Sequence, residues 1–177
     1  MELSRGANTV LGPQSSLSSV AVGVTWQGLG DFDVCAIGLR EGRVLNDDWF
    51  IFFNQLVSPG QSIILRQPPQ PDPHVPDRAQ VFVDLLGLPP EVDTVAIILA
   101  TVSAPSLAPV TNLVTRVLNL ASGAQDVTFA TQDSWAADRC VILGELYRHR
   151  ENWKFRAVAQ GYADLGGLAR DFGVNIR

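Results

Sequence analysis

The chain has 177 residues, 46% of them hydrophobic and 18% charged, and a net charge of −5 from 13 Lys+Arg against 18 Asp+Glu. So much apolar side chain with so little charge excludes an intrinsically disordered protein, and the length fits one domain, 1–177. The acidic balance excludes a general nucleic-acid binder, because neutralising phosphates needs a basic excess.

In chain order, the first segment is Met1 to Gly6, which has no apolar stretch of signal-peptide type. The longest pure apolar run, Val95 to Ala100, is far short of the roughly 20 residues a membrane helix needs, so a soluble, cytoplasmic protein is expected. Val20, Val22, Val24 and Trp26 alternate with small residues, the pattern of a strand with one buried face. Phe32 to Leu39, aromatic-rich Trp49 to Phe53, Ser62 to Arg66 and Gln80 to Leu85 read as further strands. Val92 to Val102 is β-branched and nearly all apolar, which predicts a central strand covered on both faces. Val110 to Leu120 reads as a strand, although its apolar spacing also fits a helix. Asp126 to Ala130 follows. Cys140 to Arg148 and Trp153 to Gln160 are joined by a hairpin corner. One terminal helix is expected over Asp164 to Phe172, with Asp164 as N-cap and Gly173 as its stop. Many short strands at regular spacing predict a mainly β antiparallel sandwich or barrel.

Five of the eleven prolines fall in Gln67 to Arg78, with two P-x-x-P spacings, Pro68 to Pro71 and Pro73 to Pro76. The expected role is a stiff surface loop between two strands, and a docking segment for a partner is the alternative. Cys35 and Cys140 lie in apolar strand-like runs with no CxxC or His/Cys cluster, so they are expected to be buried, reduced core residues.

No G-x-S-x-G, P-loop, H-E-x-x-H or G-x-G-x-x-G motif is present, and His74 and His149 both fall in loops, so no catalytic residue is assigned. A minor alternative is a small-ligand cleft at Glu145, Tyr147, Trp153 and Tyr162. Asp31 and Asp33, two residues apart, should point to one face of a strand. From Asp31 to Asp48 five acids stand against Arg40 and Arg43, a local −3, whereas Glu145 to Arg156 is +2. Clustered carboxylate and amide oxygens suit Ca²⁺, and a hydrated acidic rim is the alternative.

Several motifs together resemble the TerD-like tellurite-resistance and stress-response domain. They are Leu3-Ser-Arg-Gly-Ala-Asn8, Gly23-Val-Thr-Trp26, Asp31-Phe-Asp33 followed by Phe52-Phe-Asn-Gln55, Pro89-Pro-Glu-Val-Asp93, and above all Gly144 to Tyr162 with the Gly-Gly-Leu helix ending at Phe172-Gly-Val. The resemblance covers essentially the whole chain. It implies a β-sandwich of two antiparallel sheets, no established catalytic activity, Ca²⁺ held by loop acids, and a role in tellurite and chemical stress beside other Ter proteins, some of them membrane-bound. Where typical members carry a third acid this chain has Cys35, and their Asn-Asn becomes Asn54-Gln55. Their Gly-Asp-Asn-x-Thr-Gly loop is replaced by Gln67 to Pro71, and their Gly-Asp-Asp-Glu by Pro76-Asp-Arg-Ala79, with Arg78 standing where a carboxylate stood. Asp31, Asp33, Asn54 and Asp77 remain as metal-ligand candidates. The expectation is a non-enzymatic protein-association module that binds calcium weakly or not at all. A calcium-binding regulator with a weakened site is the alternative.

Overall fold

A computed structural model of the chain describes residues 1–12, 17–70, 72–131 and 133–175. Twelve strands are assigned: β1 (Asn8–Val10), β2 (Ser19–Gln27), β3 (Asp33–Arg40), β4 (Arg43–Val44), β5 (Phe50–Ile51), β6 (Ile63–Arg66), β7 (Ala79–Asp84), β8 (Thr94–Ala100), β9 (Thr111–Asn119), β10 (Gln125–Thr131), β11 (Cys140–His149) and β12 (Asn152–Tyr162). One helix, α1 (Leu165–Phe172), follows them.

The strands form two antiparallel sheets. The larger runs β1-β12-β11-β8-β3-β4 with β5 also on β3, and the smaller runs β10-β9-β2-β7-β6. Of the sandwich or barrel that the strand spacing predicted, this is the sandwich, as the resemblance implied. Val20, Val22 and Val24 of β2 point into the space between the sheets with Val81 and Val83 of β7 and Leu113 and Val117 of β9. From the other side come Val95, Ile97 and Leu99 of β8 and Val141 and Leu143 of β11. The larger sheet has a second apolar layer on its outer face, where Ile37, Ile98, Cys35 and Cys140 meet Leu168 and Phe172 of α1. Both faces of β8 are therefore covered, which is why its sequence is apolar at nearly every position.

The first ten residues close one side of the sandwich. Glu2 bridges to Thr128 at the edge of the smaller sheet, and Asn8–Val10 then pairs with β12 at the edge of the larger one. The Leu3 to Asn8 motif is thus a strap across two sheet edges, which covers them against pairing with other chains.

α1 begins where Asp164 accepts a hydrogen bond from the Gly167 N–H at 2.6 Å and ends at Gly173 in the left-handed region, as the sequence predicts. Val110 to Leu120 is β9, its inward positions alternating rather than following a helical stripe. Trp49 to Phe53 departs from expectation. Asp47–Trp49 is a 3₁₀ turn capped by the Asn46 side chain, and only Phe50–Ile51 pairs as a strand. The acids Asp47 and Asp48 beside an Asn cap favour a helical turn and outweigh the β-preference of Trp49. Among the described residues no helix is long and apolar enough to cross a membrane.

Candidate functional site

A cleft of about 530 Å³ opens at the end of the sandwich where β2 and β6 end and β3 begins. Asp31 and Asp33 form part of its wall, so the structure brings these two carboxylates together. Asp33 is partly buried, and that burial, then the nearby Asp31 charge, raises its carboxyl above the usual range. Asp31 accepts one long hydrogen bond, 3.5 Å, from the Ser103 hydroxyl. Neither carboxylate has an ion-pair partner among the described residues.

The proline-rich segment joins β6 to β7 and enters the cleft through Gln67, Pro68 and Pro69. Pro71, and with it the first P-x-x-P spacing, lies outside the described residues. Gln67 anchors the segment. Its side-chain Nε2 donates to the Phe32 carbonyl at 2.7 Å and its Oε1 accepts from the Val34 N–H at 2.8 Å. This amide grips the start of β3 as a neighbouring strand would.

Arg78 supplies a cation within the same wall. Its guanidinium lies 4.6 Å from the centre of the Trp26 ring, and its Nη1 donates to the Gly28 carbonyl at 3.4 Å. Beneath it, the Trp26 indole Nε1 is buried without an acceptor among the described residues.

The other two candidate ligands stand elsewhere. Asn54 is exposed in the turn closed by Phe52 and Gln55 and does not line the cleft. Its neighbour Gln55 is a structural residue, whose Nε2 donates to the carbonyls of Asp47, Asp48 and Phe50 at 3.2, 3.0 and 3.0 Å. Asp77 lies over the outer face of the smaller sheet. Its Oδ1 takes hydrogen bonds from Arg116 Nη2 at 2.7 Å and Nε at 3.2 Å, and its Oδ2 one from Gln80 at 3.1 Å. Two carboxylates beside a guanidinium do not fill the roughly six to eight oxygen positions of Ca²⁺. Among the described residues no group of three or more His, Cys, Asp or Glu side chains is placed to hold a metal.

A second cavity, about 260 Å³, lies on the other side of Asp33. Cys35, Phe50, Phe52, Ala100 and Val102 wall it from the sheet side, and Leu165, Leu168 and Ala169 of α1 close it. Asp33 and Phe53 border both cavities. No local pattern in the sequence marks this hollow, because α1 lies far along the chain from β3.

The alternative cleft at Glu145, Tyr147, Trp153 and Tyr162 is dispersed. Trp153 is buried in the core under the Arg148 guanidinium, 4.5 Å away. Glu145 pairs with Arg156 at 3.1 Å, Arg156 in turn covers Tyr147, and the Tyr162 hydroxyl donates to Asp171 at 2.8 Å. Cys35 and Cys140 are free buried thiols, each pushed up to about 12, chiefly by burial.

Comparison with known proteins matches the TerD domain model to residues 1–172. The chain is 30% identical to the tellurium resistance protein TerD of Serratia marcescens, over 99% of this chain and 98% of that protein. It is 29% identical to general stress protein 16U of Bacillus subtilis (strain 168), over 90% of each. It is 27% identical to chemical-damaging agent resistance protein B of Clostridium acetobutylicum, over 75% of this chain and 99% of that one. A crystal structure of a Streptomyces coelicolor A3(2) homologue of the telluride resistance protein superposes with a TM-score of 0.67 at 17% identity, over 86% of this chain and 95% of that one, and so shares the fold.

Proposed function

This chain belongs to the TerD domain family, and we propose that it is a non-enzymatic stress-response module, serving tellurite and chemical-stress resistance by associating with other proteins, with the family's calcium site degraded. The observation that carries the reading is the fate of the four candidate oxygen ligands. Asp31 and Asp33 share the cleft, Asn54 is exposed in a turn outside it, Asp77 is held by Arg116 on an outer sheet face, and Arg78 brings a fixed positive charge to the cleft wall. The loop anchor also supports it. Gln67 ties the proline-rich segment to β3 by two hydrogen bonds, so the segment needs no metal to hold it.

In this reading the module works in the cytoplasm, with other Ter proteins, membrane-bound ones among them, as its partners. Two free buried thiols support a reducing compartment. The proline-rich segment, as one wall of the cleft, is part of the docking surface.

Calorimetric titration with CaCl₂ and a thermal melt test the degraded site. A site of about 10 μM affinity would add about 2.7 kcal/mol at about 1 mM calcium, and the melting temperature should instead stay unchanged. Submicromolar calcium affinity would overturn the reading in favour of a calcium-binding regulator. Association is tested separately, by crosslinking the tagged full chain in cells that carry tellurite-resistance proteins. Recovery of one of those proteins is expected, and recovery of none under tellurite stress refutes the association.

A further inference from the structure

We propose that the loop end of the sandwich docks a segment of a partner protein in which a basic side chain stands beside a large apolar one. The basic head enters the cleft at Asp31 and Asp33, and the apolar side chain fills the cavity behind Phe53. The inference rests on the association reading and adds the surface and the chemistry it recognises.

The two hollows are one composite feature, because Asp33 and Phe53 border both. One side offers two neighbouring carboxylates that have no ion-pair partner among the described residues. The other is lined almost wholly by apolar side chains. Around their mouths the chain leaves large apolar residues in water, with Phe53 at 56%, Leu56 at 48% and Val102 at 61% exposure. A ligand must therefore bring positive charge and apolar bulk at close spacing.

Other occupants match less of this surface. A bare divalent cation would leave the apolar cavity empty. An anion meets Asp31 and Asp33. A wholly apolar ligand leaves the half-buried Asp33 without a counter-charge and adds to its desolvation. Pro68 and Pro69 stiffen one wall, which lowers the entropy lost on docking.

The test is selection of random displayed peptides, about twelve residues long, on the immobilised full chain. The enriched sequences should place Arg or Lys within two positions of Leu, Ile, Met or an aromatic residue. A synthetic peptide of that consensus should bind the wild type about tenfold more tightly than the Asp31→Asn/Asp33→Asn double variant, the size expected for losing two partly exposed charge contacts. Val102→Glu should weaken binding comparably, and melting curves of both variants check that they fold. A consensus without a basic residue, or binding unmoved by these variants, overturns this site and leaves association through another surface standing. Failure to enrich any consensus also overturns it, and the crosslinking experiment then decides association by itself. Calcium binding that displaces the peptide at micromolar concentration, or a dimer of the chain that the double variant abolishes, would reassign the site to the metal or to a second copy.

Discussion

Replacing Asp77 by Ala should destabilise the protein strongly in the complete absence of metal. In the registry of the smaller sheet, Gly23 of β2 lies between Arg116 of β9 and Gln80 of β7. The missing side chain at Gly23 leaves the space into which the Asp77 carboxylate settles, since any Cβ there would collide with it. Arg116 grips the carboxylate from one side and Gln80 from the other, and the Thr25 hydroxyl adds a third contact at 3.3 Å. The Asp77 side chain is 1% exposed and that of Arg116 22%. Deleting one partner of a buried ion pair costs about 3–5 kcal/mol. Arg116 keeps access to water and a hydrogen bond to Gln125, so the lower figure of about 2–3 kcal/mol applies here. At this chain length that lowers Tm by about 5–10 °C.

The assay is a set of thermal melts in EDTA on Asp77→Ala, Gly23→Ala and the double variant. Gly23→Ala alone should destabilise by expelling the carboxylate. On the Asp77→Ala background the same methyl enters vacated space and should cost little, so the two effects should be strongly non-additive. An Asp77→Ala variant that melts like wild type in EDTA and differs only when calcium is added would refute this reasoning and return Asp77 to the role of metal ligand.

Three further outcomes follow from other contacts. Asp33→Asn should raise Tm at pH 7, because the folded state lifts the carboxyl above its ordinary 3.8 and so holds the charged form at a cost. That gain should shrink as pH falls through the raised value and vanish below 3.8, and a gain that persisted there would contradict the assignment. Gln67→Ala removes two hydrogen bonds of 2.7 and 2.8 Å to β3 and should cost about 1–2 kcal/mol in a denaturant titration, with faster hydrogen exchange at Val34. Cys35 and Cys140, held protonated by burial, should resist a thiol reagent at pH 8 in the native protein and both react once it is unfolded.

Period-two alternation made most of the strands legible because each sheet buries one face against the other. The unbroken apolar run of β8 marked it as central, since α1 covers the second face of that sheet. The end of β12 and the helix that follows were legible from local chemistry, an Asp cap and a Gly stop. What local chemistry could not give was registry. Asp77 stands beside Arg78 in the chain and reads as part of one motif, yet the two side chains go to different surfaces. Asp77's partner Arg116 is 39 residues away, and Arg78's partner is the ring of Trp26. Asn54 fits a ligand motif by type, while the turn that carries it points to solvent. The apolar cavity needs β3, β5 with the turn after it, the end of β8 and α1 at once, segments that no short window contains.

The net charge of −5 takes on a different meaning once several of the acids are followed to their partners. Asp93 accepts from the Glu41 N–H and the Thr94 hydroxyl, Asp84 from the Gly87 N–H, and Asp72 from the His74 N–H. Asp164 caps α1 and Asp171 receives the Tyr162 hydroxyl. Glu145 and Asp77 are paired with arginines. These carboxylates hold turns, caps and sheet faces in place, which is ordinary work for short acidic side chains. A group fixed by its own fold has little binding capacity left to offer. Asp31 and Asp33 differ in kind. They stand together at a cleft, receive one long hydrogen bond between them, and border a hollow with apolar walls. The charge that matters for recognition is therefore this pair and not the total. Its apolar surroundings favour a partner with both a positive head and an apolar side chain over a free ion.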